Sequence, residues 1–424
     1  MKKLVIIVLL LTMILSIVAC NGTSSTPSKP PAKSVNLTFT GWRVEDQGAI
    51  DTMNGEFTKA FPNITVTYNP VKATEYDSYL QSALASGTAE DIIMMRSFGV
   101  GEVVYKGGDI LPLTEELIPN LANFPAGYKI GWTAEDGSIF GIPGGMVIAG
   151  FHYNKKMFDE AGITKIPETM AELIDACKKI EAKGETAIAC GIKDSWVVSE
   201  LVTSCALMPF IESDAWVRKL INKEIDFTDS KYVDMLRSVK ELVEYFPDGY
   251  EGIGYEDSQQ MFLSEKAAMY MSGSFEVYYF QSTNPDLQLG CFAYPGVDGP
   301  SKGVNIGLAT GYGINKNTEK MDAALTYVNW LGSAEACEIF ANNVVGFYGM
   351  NPDATNLTNE VSKEWLALTS TREGIQMLGY EKLAAGTPDY TTAIADSVYQ
   401  MLVGGKTPEE AADYMQTQMA WYFK

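Results

Sequence analysis

The chain has 424 residues, 46% of them hydrophobic, with 38 glycines spread along its length, and this is the composition of an ordinary globular protein. Its 53 acidic residues against 32 basic ones leave a formal charge of -21, which argues against nucleic acid or anionic lipid as a partner and favours a neutral or cationic ligand. One histidine, and six cysteines in no CxxC arrangement, give no basis for a zinc site, a His cluster or a disulfide scaffold.

The first segment reads as an export signal. Lys2 and Lys3 precede an apolar run from Leu4 to Leu15, shorter than the roughly 20 residues needed to cross a bilayer as a helix. Ile17-Val18-Ala19-Cys20 then resembles the lipobox of bacterial lipoproteins, in which the cysteine is lipidated and becomes the first mature residue. On that reading residues 1–19 are a lipoprotein signal peptide and Cys20 carries the lipid. A plain signal peptide with an incidental cysteine is the alternative. Residues 20–34, rich in Ser, Thr, Pro and Lys with no apolar periodicity, read as a flexible tether. Loss of Lys2 and Lys3 takes the mature charge from -21 to -23. The remaining body of about 390 residues suits two domains.

Alternating strand and helix patterns open that body. Val35, Leu37 and Phe39 alternate with polar residues as in a half-buried strand, and Ile50, Met53, Phe57 and Phe61 recur at helical spacing until Pro62. Ile64, Val66 and Tyr68 predict a second strand. Tyr76, Tyr79, Leu80, Ala83 and Leu84 predict a second helix ending at Gly87, and Asp91 to Met95 a buried third strand. Such a β-α-β-α-β unit makes a parallel sheet whose ligands lie at the carboxyl ends of the strands. Two segments stand there: Gly41-Trp42-Arg43-Val44-Glu45-Asp46, and Arg96-Ser97-Phe98. An indole that caps the sheet edge is the alternative role for Trp42.

The middle of the chain, from about Tyr153 to Ser301, is richer in helix. Thr169 and Glu172 fit a capping box ahead of the buried face Leu173, Ile174, Cys177 and Ile180, with Gly184 as the stop. His152, near an expected strand end and with no GxSxG turn in the chain, is read as structural. With Cys20 assigned to lipid, Cys177, Cys190, Cys205, Cys291 and Cys337 remain, and one bridge within 177 to 205 stays open. The acidic loop Asp248-Gly249-Tyr250-Glu251 fits no recognised calcium-ligand spacing, and whether a structural calcium is bound stays open. Met321, Ala324, Leu325, Val328 and Leu331 predict a helix closed by Gly332, and the last 20 residues a helix that starts near Thr407-Pro408.

Five short motifs stand in order along this body. They are Ala85-Ser86-Gly87-Thr88-Ala89-Glu90-Asp91, Ile139-Phe140-Gly141-Ile142-Pro143, Tyr153-Asn154-Lys155-Lys156-Met157-Phe158, Phe262 to Met269 with Gly273-Ser274-Phe275, and Gly313-Ile314-Asn315-Lys316-Asn317. Together they resemble the extracellular solute-binding proteins of bacterial ABC importers, the large family that includes maltose- and other oligosaccharide-binding proteins. Two departures stand out: Glu265 where the family has glycine, and Phe275 where it has tryptophan.

The resemblance implies an α/β, two-lobed periplasmic-binding-protein fold of type II with ligand in the interlobe cleft. Residues 35–145 and 310–345 would form the N-terminal lobe, and 150–305 and 348–424 the C-terminal lobe. Residues 144–146, 308–311 and 345–349 would be hinge crossings, their glycines absorbing the rotation of closure. It implies no catalysis, cofactor or metal, a monomer at the outer face of the cell membrane (the periplasmic side in a Gram-negative cell), and a permease as partner. A sugar needs aromatic plates and planar hydrogen-bonding groups, so the expected ligand residues are Trp42, Arg43, Arg96 and Ser97 from one lobe. Asp194, Trp196, Phe275 and Glu276 are expected from the other, with Tyr312, Tyr348 and Tyr390 from crossings or the far rim. A non-sugar solute such as a polyamine, metal chelate or small anion on the same fold, and a lipid-anchored glycoside hydrolase, are the competing readings.

Overall fold

The computed structural model describes residues 34–211, 213–378 and 382–424. The expected signal peptide, Cys20 and all but the last residue of the tether lie outside the described residues. No helix among the described residues is long and apolar enough to cross a membrane.

The predicted opening unit is present. Strands β1 (Val35–Gly41), β2 (Ile64–Pro70) and β3 (Ile92–Met95) run parallel in the order β2-β1-β3, with Phe39 opposite both Tyr68 and Ile92. The helix Gln47–Ala60 turns Ile50, Met53 and Phe57 inward, where they are buried, and ends at Phe61 just before Pro62. The helix Tyr76–Ser86 ends on Gly87, whose left-handed backbone (φ 70°) lets its N–H return to Ala83 and Leu84.

Beyond β3 the sheet becomes mixed. β4 (Ile142–Asn154), β5 (Thr186–Ala189), β6 (Ala267–Gly273), β7 (Leu289–Phe292) and β8 (Gly303–Ile314) extend it, giving the path β2-β1-β3-β8-β4-β6-β5. β7 pairs with β4, as does β9 (Tyr348–Gly349), while β10 (Glu373–Gln376) runs parallel to β8. The long antiparallel pair β4 and β8 joins the two ends of the sheet. Its ladder slips between Pro143 and Met146, where β9 docks on Gly145 and Met146. The three glycine-bearing segments singled out in the sequence therefore lie side by side. At Gly144 the reason for glycine is space, since a Cβ would stand 2.5 Å from the Tyr312 ring and 2.8 Å from the Thr310 carbonyl oxygen. At Gly346 both φ (+100°) and a 1.8 Å approach to the Ser274 carbonyl oxygen exclude a side chain.

Helix Met170–Glu181 carries the predicted capping box of Thr169 and Glu172. It stops at Ala182, and Gly184 makes the left-handed turn two residues later. Helix Met321–Leu331 closes at Gly332 as expected. The terminal helix begins at Pro408 behind its own capping box but breaks at Met419 into two pieces, Pro408–Gln418 and Ala420–Phe423. His152 is structural: it is fully buried, its Nε2 is 2.7 Å from the Gly273 carbonyl oxygen, and its ring packs against Trp365 and Phe280. Burial holds its pKa down at about 4, with the Gly273 carbonyl opposing that shift. Cys177, Cys190, Cys205, Cys291 and Cys337 are all free thiols, so the bridge left open in the sequence does not form here.

Candidate functional site

A cavity of about 340 Å³ lies between the two ends of the sheet, over the β4–β8 pair, within the size range of small-ligand sites. Its first wall stands at the carboxyl ends of β1 and β3, the place an α/β sheet offers a ligand. Trp42 follows β1 and Arg96 follows β3, and the Arg96 guanidinium lies over the indole with Cζ 4.6 Å from the ring centroid. Arg96 Nε also donates to both Asp77 carboxylate oxygens, at 2.8 and 3.1 Å. Tyr76 supports the indole, with ring centroids 5.4 Å apart.

The opposite wall carries Trp196, Tyr255 and Phe275. Trp196 precedes a π-helical run, Val197–Thr203, and meets the Tyr255 ring edge-on at 4.8 Å. Phe275 follows β6, and Phe347, just before β9, completes the aromatic lining. Val147, Leu308 and Met377 add apolar surface, while Glu200, Asp389 and Thr391 add polar groups to the lining.

Arg43 lines the cavity yet is 5% exposed, because its guanidinium is committed elsewhere. Nε donates to Asp46 at 2.6 Å, Nη2 to the Phe275 carbonyl oxygen at 2.8 Å, and Nη1 lies 2.7 Å from Glu45. Burial opposes its charge, but Asp46 and Glu45 more than offset that and hold its pKa well above the usual value. Burial pushes Asp46 up to about 6 against the pull of Arg43. Both cavity arginines are thus already paired with carboxylates.

Of the residues expected from the sequence, Trp42, Arg43, Arg96, Trp196 and Phe275 meet on this cavity. The others stand behind its walls. Ser97 is buried before the helix Phe98–Lys106, and its hydroxyl has no hydrogen-bond partner among the described residues. Asp194 accepts the Tyr255 backbone N–H at 2.7 Å and so anchors the start of helix Tyr255–Leu263. Glu276 is fully buried; its carboxylate accepts from Gln259, Tyr270 and Ser272, and burial raises its pKa to about 7.

Tyr312 is a core residue of β8, edge-on to Phe39. The Tyr348 hydroxyl donates to the Ser362 carbonyl oxygen, and Tyr390 packs on Phe227. For the last two, the adjacent residue reaches the cavity instead: Phe347 beside Tyr348 and Asp389 beside Tyr390. Asp389 caps helix Tyr390–Leu402 by accepting the Thr392 N–H through Oδ1 at 2.7 Å. Tyr255 was missed, although it opens helix Tyr255–Leu263, where Asp257 accepts the Gly254 N–H at 3.1 Å.

The lining brings aromatic faces from both ends of the sheet together with carboxylates and hydroxyls, which suits a molecule with apolar C–H faces and a hydroxyl rim. No group of three or more His, Cys, Asp or Glu among the described residues is placed to hold a metal ion.

A sequence model described as bacterial extracellular solute-binding protein matches residues 42–336. The chain is 24% identical over 338 residues to the multiple sugar-binding protein of Streptococcus mutans, covering 76% of each chain. It is also 24% identical over 242 residues to an sn-glycerol-3-phosphate-binding periplasmic protein of Brucella abortus, covering 54% of this chain and 55% of that one. Among solved structures, a chitin oligosaccharide binding protein superposes with a TM-score of 0.75 at 21% identity, over 92% of this chain and 99% of the other.

Proposed function

Because the chain belongs to the bacterial extracellular solute-binding protein family, we propose that it is the receptor of an ABC importer, which captures an oligosaccharide in the cavity between its lobes and delivers it to the membrane permease. The observation that carries the sugar reading is the lining itself. Trp42 with Arg96 on one wall faces Trp196, Tyr255 and Phe275 on the other, and the carboxylates of Glu200 and Asp389 share the lining.

The same lining weighs against a phosphorylated solute of the kind bound by the Brucella relative. A phosphate needs uncommitted cationic donors, and here Asp77 takes Arg96 while Glu45 and Asp46 take Arg43. We assign direct ligand contact to Trp42, Arg96, Trp196 and Phe275. Ser97, Asp194, Glu276, Tyr312, Tyr348 and Tyr390 support the walls from behind.

The lobes are assigned as 35–145 with 310–345, and 150–305 with 348–424. Side-by-side pairing of β4, β8 and β9 at residues 145–146 supports their joining there. The protein acts as a monomer without catalysis, tethered through lipid on Cys20 to the outer face of the cell membrane. A glycoside hydrolase would turn its sugar over, and a receptor returns it intact.

A thermal-shift screen of the chain tests this reading, with chitin and other oligosaccharides, monosaccharides, polyamines and glycerol 3-phosphate. A saturable rise in melting temperature with an oligosaccharide recovered unchanged is the expected result. A rise with polyamine or glycerol 3-phosphate alone, or cleavage of the sugar, overturns it.

A further inference from the structure

Arg43 and Phe275 belong to opposite ends of the sheet. Arg43 stands two residues beyond β1, which lies between β2 and β3, whereas Phe275 stands two residues beyond β6, which lies beside β5. They are 232 positions apart in sequence, yet Nη2 of one donates to the carbonyl oxygen of the other at 2.8 Å. The guanidinium carbon also lies 5.4 Å from the Phe275 ring centroid and 5.1 Å from that of Phe347.

The partners of this one side chain divide by side. Glu45 and Asp46 come from its own end of the sheet and travel with it. The Phe275 carbonyl and the two rings come from the far end and from the crossing segment before β9. That carbonyl is itself held in place: Ser274 Oγ accepts the Ile148 N–H at 3.1 Å and donates to the Gly346 carbonyl oxygen at 2.5 Å, which ties it to β4 and to the segment before β9.

We propose that Arg43 is an interlobe latch, a positioning residue that holds the two cavity walls toward each other before any ligand arrives. The proposal rests on the reading of this cavity as the ligand site and adds its regulation. When the lobes part, the guanidinium keeps its two carboxylates and gives up one hydrogen bond and two ring contacts, so its charge is never left without a counterion. A contact that can break without stranding a buried charge suits a reversible catch. The fraction of molecules with opposed walls scales the apparent affinity, because a ligand that needs both walls binds only that fraction.

The test measures interlobe distance in the full chain by pulsed electron paramagnetic resonance. Spin labels are placed at Lys59→Cys, on the helix packed against β2, and at Lys179→Cys, on the helix packed against β5. Without ligand, Arg43→Gln is expected to shift the distribution to longer distances than the parent. With saturating chitin oligosaccharide the two should coincide, and the apparent Kd of the variant should be about tenfold weaker.

Identical ligand-free distributions in the two proteins overturn the latch. If Arg43→Gln fails to fold by circular dichroism, Arg43→Lys takes its place, keeping the charge beside Asp46 but unable to span three acceptors, and is judged by the same criterion. The ligand-free comparison needs no sugar. Opening in the variant together with no oligosaccharide response in the parent would therefore sustain the latch while removing the sugar-receptor reading.

Discussion

Arg96 and Trp42 form one composite surface on the cavity wall: the guanidinium covers an indole face at 4.6 Å while Asp77 grips its edge. The stacking plate that sequence alone would assign to Trp42 is thus partly the flat face of an arginine, and the indole serves as its backing.

Removing either aromatic anchor should cost binding. Trp42→Ala leaves Arg96 without its support, and Phe275→Ala deletes the opposing plate. Each is expected to weaken affinity for the best sugar of the screen by about 30-fold or more, the scale of a buried aromatic hot spot. Isothermal titration reads the loss, with circular dichroism to show that the fold persists; normal affinity in both variants would remove the contact assignment.

Glu276 makes stability depend on pH in one direction. Its folded pKa of about 7 lies above the ordinary 4.5, chiefly through burial, so between these values the folded state holds a proton that the unfolded chain has released. Stability is therefore lost as pH rises from about 4.5 to about 7, by about 3 kcal/mol from this group. Glu276→Gln should raise the melting temperature at pH 8 and bring no gain near pH 4. Equal effects at both pH values would contradict the assignment.

His152 acts in the opposite direction. Its folded pKa of about 4 lies below the ordinary 6.5, so the unfolded chain binds the extra proton in between, and stability falls as pH drops from about 6.5 to about 4. As the chain has a single histidine, one imidazole signal in the NMR spectrum should titrate near pH 4. A midpoint near 6.5 would mean that the ring is hydrated.

Glu265 occupies a left-handed backbone position, φ 56°, a conformation that glycine adopts without strain. The Glu265 carboxylate offsets part of its own strain by accepting from Asn154 and pairing with Lys156. Left-handed geometry costs a non-glycine residue roughly 1–2 kcal/mol, and an exposed pair returns less than that. Glu265→Gly should stabilise the protein by up to about 1 kcal/mol in denaturant melts, and a loss of stability would show that the two contacts outweigh the strain.

Much of the fold was legible in the chain. Ile50, Met53 and Phe57 at helical spacing, Leu37 and Phe39 at strand spacing, the box of Thr169 with Glu172, and the turn at Gly87 all carry local signals whose physics acts within a few residues. The site was half legible. Trp42, Arg96 and Phe275 follow strand ends, where an α/β sheet leaves room for a ligand, and their chemistry is visible there.

Direction was harder to read. In the pairs Phe347 and Tyr348, and Asp389 and Tyr390, the sequence marks the segment, but neighbouring side chains point to different sides of the backbone, and only the docked segment decides which one meets the cavity.

The sequence by itself determined the opening β-α-β-α-β unit, the family to which the chain belongs, and the residue types available for recognition, because spacing, capping and motif order are local properties of a chain. The tertiary structure alone decided that Arg43 reaches the Phe275 carbonyl, that Glu276 and Tyr312 do not line the cavity, and that Gly144 serves close packing. Each of these depends on an atom from a segment distant in the chain, such as the carbonyl of Phe275 for Arg43 or the ring of Tyr312 for Gly144, and the pattern of neighbours along the chain does not record such meetings.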